Sequence, residues 1–245
     1  MDEAYRAGIA RRREEILARM DAALARSGRG RDAAELVAVS KTVGVEEVLA
    51  AIDAGFRTFG ENRPQELVRK LDGLGRVPGL PPCRFDMIGN LQKNKINAVL
   101  GRAALIHSIG SLHLAEAVST RAVRRIEVGE AAAPQPVLLE VNVSGEETKS
   151  GFSPEELRRC FEQLMGLSGI RVEGLMTMAP RGDKAVARAT FSGLRELRDE
   201  LESACGSHLP ELSCGMSEDF EEALEEGSTI VRLGRVVFDP AFAVE

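Results

Sequence analysis

A lysine at the end of an apolar segment is the first residue whose type and position could do chemistry. Residues 36–42 read LVAVSKT, and the apolar part is typical of a buried β-strand. A lysine there can form a Schiff base with an aldehyde, and burial would favour its neutral, nucleophilic form. Alternatively, Lys41 extends to water or pairs with an acid such as Glu61. Position alone leaves both interpretations open.

Two glycine-containing stretches further along the chain could bind an anion. In residues 213–220, SCGMSEDF, glycine permits close backbone approach, Ser217 can cap the following helix, and first-turn amides can face a phosphate. In residues 231–234, VRLG, Gly234 again gives access to backbone N–H groups. Each stretch could instead be an ordinary turn or capped helix. Taken together with Lys41, they favour a site for a phosphorylated aldehyde.

The elements that must position these residues follow an alternating pattern. Short apolar, β-branched runs alternate with stretches of helical period, as in βα units around a parallel sheet. The predicted strands cover residues 36–41, 58–62, 85–89, 104–109, 136–144, 172–179, 211–215 and 229–234. Eight units in about 200 residues favour a (β/α)8 TIM barrel, an α/β fold, over an open sheet, which usually has fewer strands and a glycine-rich first turn.

The predicted helices complete this architecture. Ser111 and Ser153 are placed as N-caps, and Gly55 and Gly166 as helix stops. Residues 1–30 predict an additional amphipathic helix that covers the barrel, and residues 1–245 are interpreted as a single domain.

In such barrels the active site lies at the carboxyl ends of the strands. Lys41, Asn62, Ser213, Arg232 and Gly234 all fall at or near predicted strand ends. A phosphate commonly binds between the loops after the seventh and eighth strands, where the two glycine stretches lie. The sequence therefore predicts that these side chains share one rim.

Composition excludes several other classes of protein. The 245 residues include 32 basic and 38 acidic side chains, and a net charge of −6 argues against a nucleic-acid or anionic-membrane partner. No long apolar run predicts a signal peptide or a membrane span. The four cysteines form no CxxC pair, so neither a zinc site nor a disulfide framework is indicated. A cytoplasmic location is expected.

Several motifs, in order along the chain, resemble one known family. They are LVAVSKT, FGEN followed by QEL, IGNLQKNK, HSIGSLHLAEAV, LLEVNVSGEETKSGFSPEEL, GLMTMAP and SCGMSEDFEEALEEGSTIVRLG. Together they are similar to the pyridoxal phosphate homeostasis proteins, over residues 35–238. That family shares the barrel of the alanine racemase N-terminal domain, so the resemblance implies the same fold.

The resemblance also implies a cofactor and roles for individual residues. Lys41 would carry pyridoxal 5′-phosphate (PLP) as an internal aldimine. Ser217, with neighbouring backbone amides, and Gly234 would hold the phosphate, and Ser213 would stand near it. Asn62 would line the ring pocket.

By the same resemblance, Arg232 would face the pyridine nitrogen of the cofactor. A guanidinium stays charged at physiological pH, so it disfavours protonation of that nitrogen and weakens the cofactor as an electron sink. Related alanine racemases also use arginine there, but they pair the lysine with a tyrosine from an additional C-terminal domain. The only tyrosine here, Tyr5, lies in the N-terminal helix, and the chain ends shortly after the eighth predicted strand.

The resulting hypothesis is a protein that takes part in PLP homeostasis and holds the cofactor without catalytic turnover. PLP-dependent apoenzymes are candidate recipients, and a monomer is expected. A PLP-dependent amino acid racemase is the alternative. A third interpretation keeps the barrel without the cofactor, so that Lys41 acts directly on a sugar phosphate.

Five positions depart from the family pattern. The pair Phe85 and Asp86 replaces tryptophan and histidine before the IG of the third predicted strand, and Val43 replaces a second lysine. Cys214 stands where methionine is usual, and Asp239 where glycine is usual. An acid at position 239 could repel a phosphate if it pointed inward.

Two further polar residues are assigned structural roles. His107 is interpreted as a hydrogen-bonded structural histidine rather than a base, and Lys149 as a solvated loop lysine.

Overall fold

Eight parallel strands pair in chain order, and the last pairs with the first to close a barrel. The computed structural model describes residues 2–146 and 149–242. The strands are β1 (Glu35–Val39), β2 (Thr58–Glu61), β3 (Arg84–Met87), β4 (Ile106–Ile109), β5 (Gln135–Glu140), β6 (Ile170–Met176), β7 (Glu211–Ser213) and β8 (Ile230–Leu233). The predicted (β/α)8 barrel is confirmed. Residues 1, 147, 148 and 243–245, which the single-domain prediction also covers, lie outside the described part.

Helices alternate with the strands around the barrel. They are α1 (Glu3–Arg26), α2 (Val45–Asp53), α3 (Pro64–Leu74), α4 (Ile96–Val99), α5 (Leu112–Glu127), α6 (Pro154–Met165), α7 (Lys184–Cys205), α8 (Phe220–Glu225) and α9 (Arg235–Phe238). The hydroxyls of Ser111 and Ser153 accept bonds from Leu114 N and Glu156 N, as the sequence predicts for N-caps.

The N-terminal helix α1 packs on the outside of the barrel against α2, α8 and α9. Its apolar stripe, including Ile9 and Ile16, is buried there. Arg12 Nε and Tyr5 Oη donate to the carbonyl oxygens of Val237 and Phe238, at 2.8 and 3.0 Å. These bonds satisfy carbonyl groups at the end of α9, which have no partner within the helix. The structure thus contains the predicted covering helix.

Seven of the eight predicted strands extend too far at their carboxyl ends, and the fourth ends at residue 109 as predicted. The fifth was predicted to residue 144 but β5 ends at Glu140, and β6 ends at Met176 rather than residue 179. Val141 forms only an isolated bridge with Phe152. The apolar, β-branched composition continues beyond the last residues that pair with a neighbouring strand. These further residues belong to loops in the structure. Composition therefore overestimates strand length where the loops at the carboxyl ends of the strands begin.

Side chains alternate between the barrel interior and the surrounding helices, as strand geometry requires. The apolar interior cluster consists of Val37, Leu105, Leu138, Met176 and Ile230, and a larger cluster lies between sheet and helices. His107 on β4 contacts Ser213 on β7. Since β4 and β7 are not neighbours, this hydrogen bond crosses the interior. The barrel core therefore contains polar groups as well as apolar ones.

Candidate functional site

The six candidate residues lie on one arc of the rim. Ser213 ends β7, Arg232 lies in β8, Lys41 follows β1 and Asn62 follows β2. These four strands are consecutive neighbours, because β7 pairs with β8, β8 with β1 and β1 with β2. The remaining two candidates, Ser217 and Gly234, lie in the loops after β7 and β8. One continuous arc can therefore present all six to a single small ligand.

Lys41 is exposed, which agrees with the interpretation that its side chain extends to water and not with a buried amine. The strand β1 ends at Val39, and the chain has turned toward solvent by residue 41. Burial therefore does not activate this amine in the structure described. Its accessibility leaves it open to an incoming aldehyde.

The buried lysine nearby is Lys70, on α3. Lys70 and Glu61 side chains are both 0% exposed and form an ion pair. Lys70 Nζ also donates to the carbonyl oxygen of Ser40 at 2.5 Å, while Ser40 Oγ donates to Glu61 Oε1 at 2.5 Å. Glu61 is thus bonded to Lys70 and Ser40 rather than to Lys41. The suggested pairing of Lys41 with Glu61 is not found.

Sequence reasoning missed Lys70, although a signal was present. Leu67, Lys70 and Leu74 occupy one helical stripe, and the structure buries all three. A charged residue on an apolar stripe indicates a buried partner. The partner here is Glu61, which also accepts a hydrogen bond from Ser40, the residue immediately before Lys41. The ion pair therefore supports the backbone that carries the candidate nucleophile.

The loops after β7 and β8 meet, as expected for a phosphate site. Val236 N approaches Ser217 Oγ at 3.4 Å and donates to it. The expectation that Ser217 caps the next helix is wrong, because α8 begins at Phe220 and Asp219 occupies its N-cap position. Asp219 Oδ1 instead accepts from Met216 N at 2.6 Å and tightens the turn. Ser217 therefore stands between the two loops.

Gly215 and Gly234 have different structural requirements. Gly215 has a φ of 95°, and an added Cβ would lie 2.7 Å from Ala223 Cβ, so the fold itself requires glycine. At Gly234, an added Cβ would lie 3.4 Å from Val39, which is ordinary contact. Protein packing alone does not explain glycine at position 234. Close approach of a ligand to the backbone would explain it.

Asn62 is held at the rim by a close backbone approach. A Cβ added to Gly89, just beyond β3, would lie 2.2 Å from the carbonyl oxygen of Asn62. Only glycine allows these two loops to pack together. The close contact with Gly89 therefore fixes the backbone position of Asn62. The side chain of Asn62 is exposed.

Arg232 is the buried cation of the arc, at 5% exposure. Its Nη1 donates to Ser213 Oγ at 2.5 Å and its Nη2 to the carbonyl oxygen of Thr177 at 3.1 Å. Burial lowers the pKa of Arg232, but a guanidinium remains cationic at neutral pH. A guanidinium has five N–H donors, so these two bonds leave others for a ligand. Ser213, predicted to stand near a phosphate, is bonded to Arg232 in the interior.

Hydrogen bonds continue from Ser213 to a histidine, His107, and from there to an acid, Asp86. His107 Nδ1 lies 2.9 Å from Ser213 Oγ, and its Nε2 lies 3.2 Å from Asp86 Oδ2. His107 is fully buried and hydrogen-bonded, which agrees with its interpretation as a structural histidine. Burial lowers the pKa of His107 despite its bond to Asp86. Burial also acts to raise the pKa of Asp86, but hydrogen bonds from His107 and Arg84 outweigh it and hold that pKa below its usual value.

The other departures from the family pattern have local structural roles. Asp239 is exposed and accepts a bond from Ala241 N at 2.9 Å. Phe85 stacks on Phe59 in the outer core, with ring centroids 5.2 Å apart. Cys214 is buried, and burial raises the pKa of its thiol to about 11, so it is a neutral core residue at pH 7. Val43 packs against the core.

Lys149, the rim lysine after β5, contacts its own loop and the next. It pairs with Glu146 and donates to the carbonyl oxygen of Met178 at 3.2 Å. Within residues 2–146 and 149–242, no group of His, Cys, Asp or Glu is arranged to hold a metal ion. No helix in this part of the chain is long and apolar enough to cross a membrane.

Comparison with known proteins places this barrel in a defined class. Residues 14–240 match the model of the alanine racemase N-terminal domain. The pyridoxal phosphate homeostasis protein of Aquifex aeolicus is 42% identical over 228 residues, which cover 93% of this chain and 96% of that protein. The chain therefore belongs to the family of pyridoxal phosphate homeostasis proteins.

Two solved structures agree with this assignment. A protein of unknown function from Bifidobacterium adolescentis has 41% identity and a TM-score of 0.88, with 97% of each chain covered. PipY of Synechococcus elongatus, with PLP bound, has 31% identity and a TM-score of 0.79, covering 94% of this chain and 99% of that one.

Proposed function

We propose that this protein binds PLP at the β7–β8–β1–β2 arc and takes part in keeping the free cofactor at a controlled level. The observation that carries the proposal is the set of groups on this arc. An exposed amine, a buried guanidinium and a glycine that packing does not require match an aldehyde, a ring nitrogen and a phosphate. The PLP-bound structure of PipY supports the same ligand.

Each residue has a distinct role in this proposal. Lys41 Nζ forms a C=N bond with the aldehyde carbon, and the aldehyde oxygen leaves as water. Ser217 and the backbone at Gly234 bind the phosphate, and Asn62 lines the ring pocket. Arg232 faces the ring nitrogen, and Ser213 orients Arg232 by accepting a hydrogen bond from its guanidinium. Bound PLP supplies a reactive aldehyde and an electron-accepting ring.

We further propose that the protein holds the cofactor without turning over amino acids. The cationic Arg232 disfavours protonation of the ring nitrogen and so weakens stabilisation of a carbanion. A racemase also needs an acid or base on the face opposite the lysine. Tyr5, the only tyrosine in the chain, donates to Phe238 on the outside of the barrel and does not serve there.

Reduction with borohydride tests the lysine assignment. We expect protein incubated with PLP to show a visible absorption band that reduction removes, and mass spectrometry to find the adduct on the Lys41 peptide. Lys41→Ala should lose both signals. Lys184→Ala, which removes an exposed lysine on α7, should retain both. An adduct on another lysine, or none, would contradict the assignment, and a protein without colour would favour direct chemistry on a sugar phosphate.

Incubation of the loaded protein with enantiopure alanine tests the absence of turnover. We expect the enantiomeric composition to remain constant over many equivalents of substrate. Sustained racemisation that disappears in Lys41→Ala would establish the alternative, a PLP-dependent racemase. Reactivation of a PLP-dependent apoenzyme by the loaded protein would support a role in cofactor delivery.

A further inference from the structure

The charge on Arg232 is buried, and no carboxylate among residues 2–146 and 149–242 is bonded to it. Its two hydrogen bonds end on neutral oxygens, the Ser213 hydroxyl and the Thr177 carbonyl. A buried cation is costly unless the protein supplies compensating polar groups and charge. From Arg232 the hydrogen bonds continue through Ser213 and His107 to the carboxylate of Asp86.

Asp86 is the end of a buried connection through the barrel. Asp86, His107 and Ser213 are each 0% exposed. They come from β3, β4 and β7, and Arg232 comes from β8, so the connection links both sides of the barrel interior. Arg84 binds both carboxylate oxygens of Asp86, with Nε donating to Oδ1 at 3.0 Å and Nη2 donating to Oδ2 at 2.8 Å. Fork-shaped contacts of this kind restrict a carboxylate to one orientation.

The donors and acceptors along this connection allow one assignment of protons. Ser213 Oγ accepts from Arg232, so its own hydrogen is available to His107 Nδ1. Nδ1 is then the acceptor, and the single proton of a neutral imidazole resides on Nε2. Nε2 donates this proton to the ionised Asp86. Each bond therefore runs in the same direction, from Arg232 to Asp86.

We propose that Asp86 is a positioning residue that orients Arg232 through His107 and Ser213. Asp86 itself does not contact the ligand. Its effect on the cofactor rests on the proposed function, in which Arg232 faces the ring nitrogen. Glu140 and Asp219 act on Arg232 electrostatically, whereas Asp86 is connected to Arg232 by hydrogen bonds through His107 and Ser213. Burial raises the pKa of Glu140 and of Asp219, whereas hydrogen bonds from His107 and Arg84 hold the pKa of Asp86 below its usual value.

A purely structural role for Asp86 would require only its pair with Arg84. Glu35 provides the matched control, because it also pairs with Arg84, at 3.1 Å. Glu35 is partly exposed at the start of β1 and bonds with Thr58 rather than with His107. Glu35→Gln therefore disturbs Arg84 while leaving the connection to Arg232 intact. Asp86→Asn keeps the size of the side chain and removes its charge.

Heteronuclear NMR of labelled histidine tests the connection in cofactor-free protein. The chain has three histidines, so the signals can be assigned by single substitutions. We expect neutral His107 with its proton on Nε2 in the wild type and in Glu35→Gln, and altered His107 nitrogen signals in Asp86→Asn. A proton on Nδ1, or a doubly protonated ring, in the wild type would overturn the proposal. The wild-type result requires neither a folded Asp86→Asn protein nor a bound cofactor.

The absorption maximum of bound PLP tests the effect on the ligand. We expect Asp86→Asn to shift the band and Glu35→Gln to leave it unchanged. An unshifted band in a folded Asp86→Asn protein, or equal shifts in both variants, would overturn the positioning role. If wild-type protein fails to bind PLP, the proposed function fails, while the NMR result still decides whether the connection exists.

Discussion

Two lysines near the same strand end, Lys41 and Lys70, have opposite environments. Lys41 is exposed at the rim, whereas Lys70 is fully enclosed with Glu61 beneath it. The proposed chemistry belongs to the exposed lysine, and the structural support belongs to the buried one. Burial therefore distinguishes the residue that holds the loop from the residue that meets the ligand.

The largest effect is expected from breaking the buried pair. Lys70→Met leaves the buried Glu61 carboxyl group without its counter-charge, which should lower the free energy of unfolding by about 3–5 kcal/mol. Chemical denaturation measures this change. Adding Glu61→Leu to Lys70→Met should recover much of the loss, because an apolar pair of similar volume needs no counter-charge. A small loss in the single variant would contradict the structural role of Lys70.

A smaller effect is expected from two matched glycine substitutions on the rim. Gly89→Ala places a Cβ 2.2 Å from the Asn62 carbonyl oxygen and should cost about 1–3 kcal/mol of stability. Gly234→Ala places its Cβ 3.4 Å from Val39 and should change stability little. Its expected effect is instead weaker PLP binding, measured by titration of the visible band. Equal PLP affinity in wild type and Gly234→Ala would contradict the proposed phosphate contact.

The pH dependence of stability tests the buried histidine. The pKa of His107 is lowered in the folded protein, so below about pH 6.5 the unfolded chain takes up a proton that the folded chain does not. The contribution of His107 is therefore present above that pH and is lost as the pH falls toward its lower folded-state pKa. Thermal unfolding should show a wild-type advantage over His107→Gln that shrinks in this window. A difference between the two proteins that stays constant with pH would contradict the shift.

The sequence predicted the fold better than the polar interior. Alternating βα units indicate the barrel because strand and helix periods differ locally, and Ser111 and Ser153 cap helices through contacts three residues apart. Asp86, His107 and Ser213 come from β3, β4 and β7, and β7 is a neighbour of neither β3 nor β4. No spacing along the chain encodes that meeting. Asp86 was noticeable only as a departure from the family pattern.

The site residues show the same division. The rim arc could be predicted because it requires only that parallel strands end on one side. The exposure of Lys41 could not, because it depends on the turn after Val39, where an apolar run no longer indicates burial. Ser217 was assigned to a helix that begins later, at Phe220. Local patterns place elements well and side chains at their ends less well.

The smallest effect on stability is expected at Lys41, and it completes the comparison of the two lysines. Lys41→Met removes an exposed ammonium, so the free energy of unfolding should change by less than about half a kcal/mol. The same substitution should abolish covalent retention of PLP. Denaturation and borohydride trapping on one preparation measure both quantities. Lys70→Met should show the reverse at a temperature where it remains folded, with a large loss of stability and an adduct still formed on Lys41. A strongly destabilised Lys41→Met protein would mean that this lysine supports the fold, and the separation of the two roles would fail.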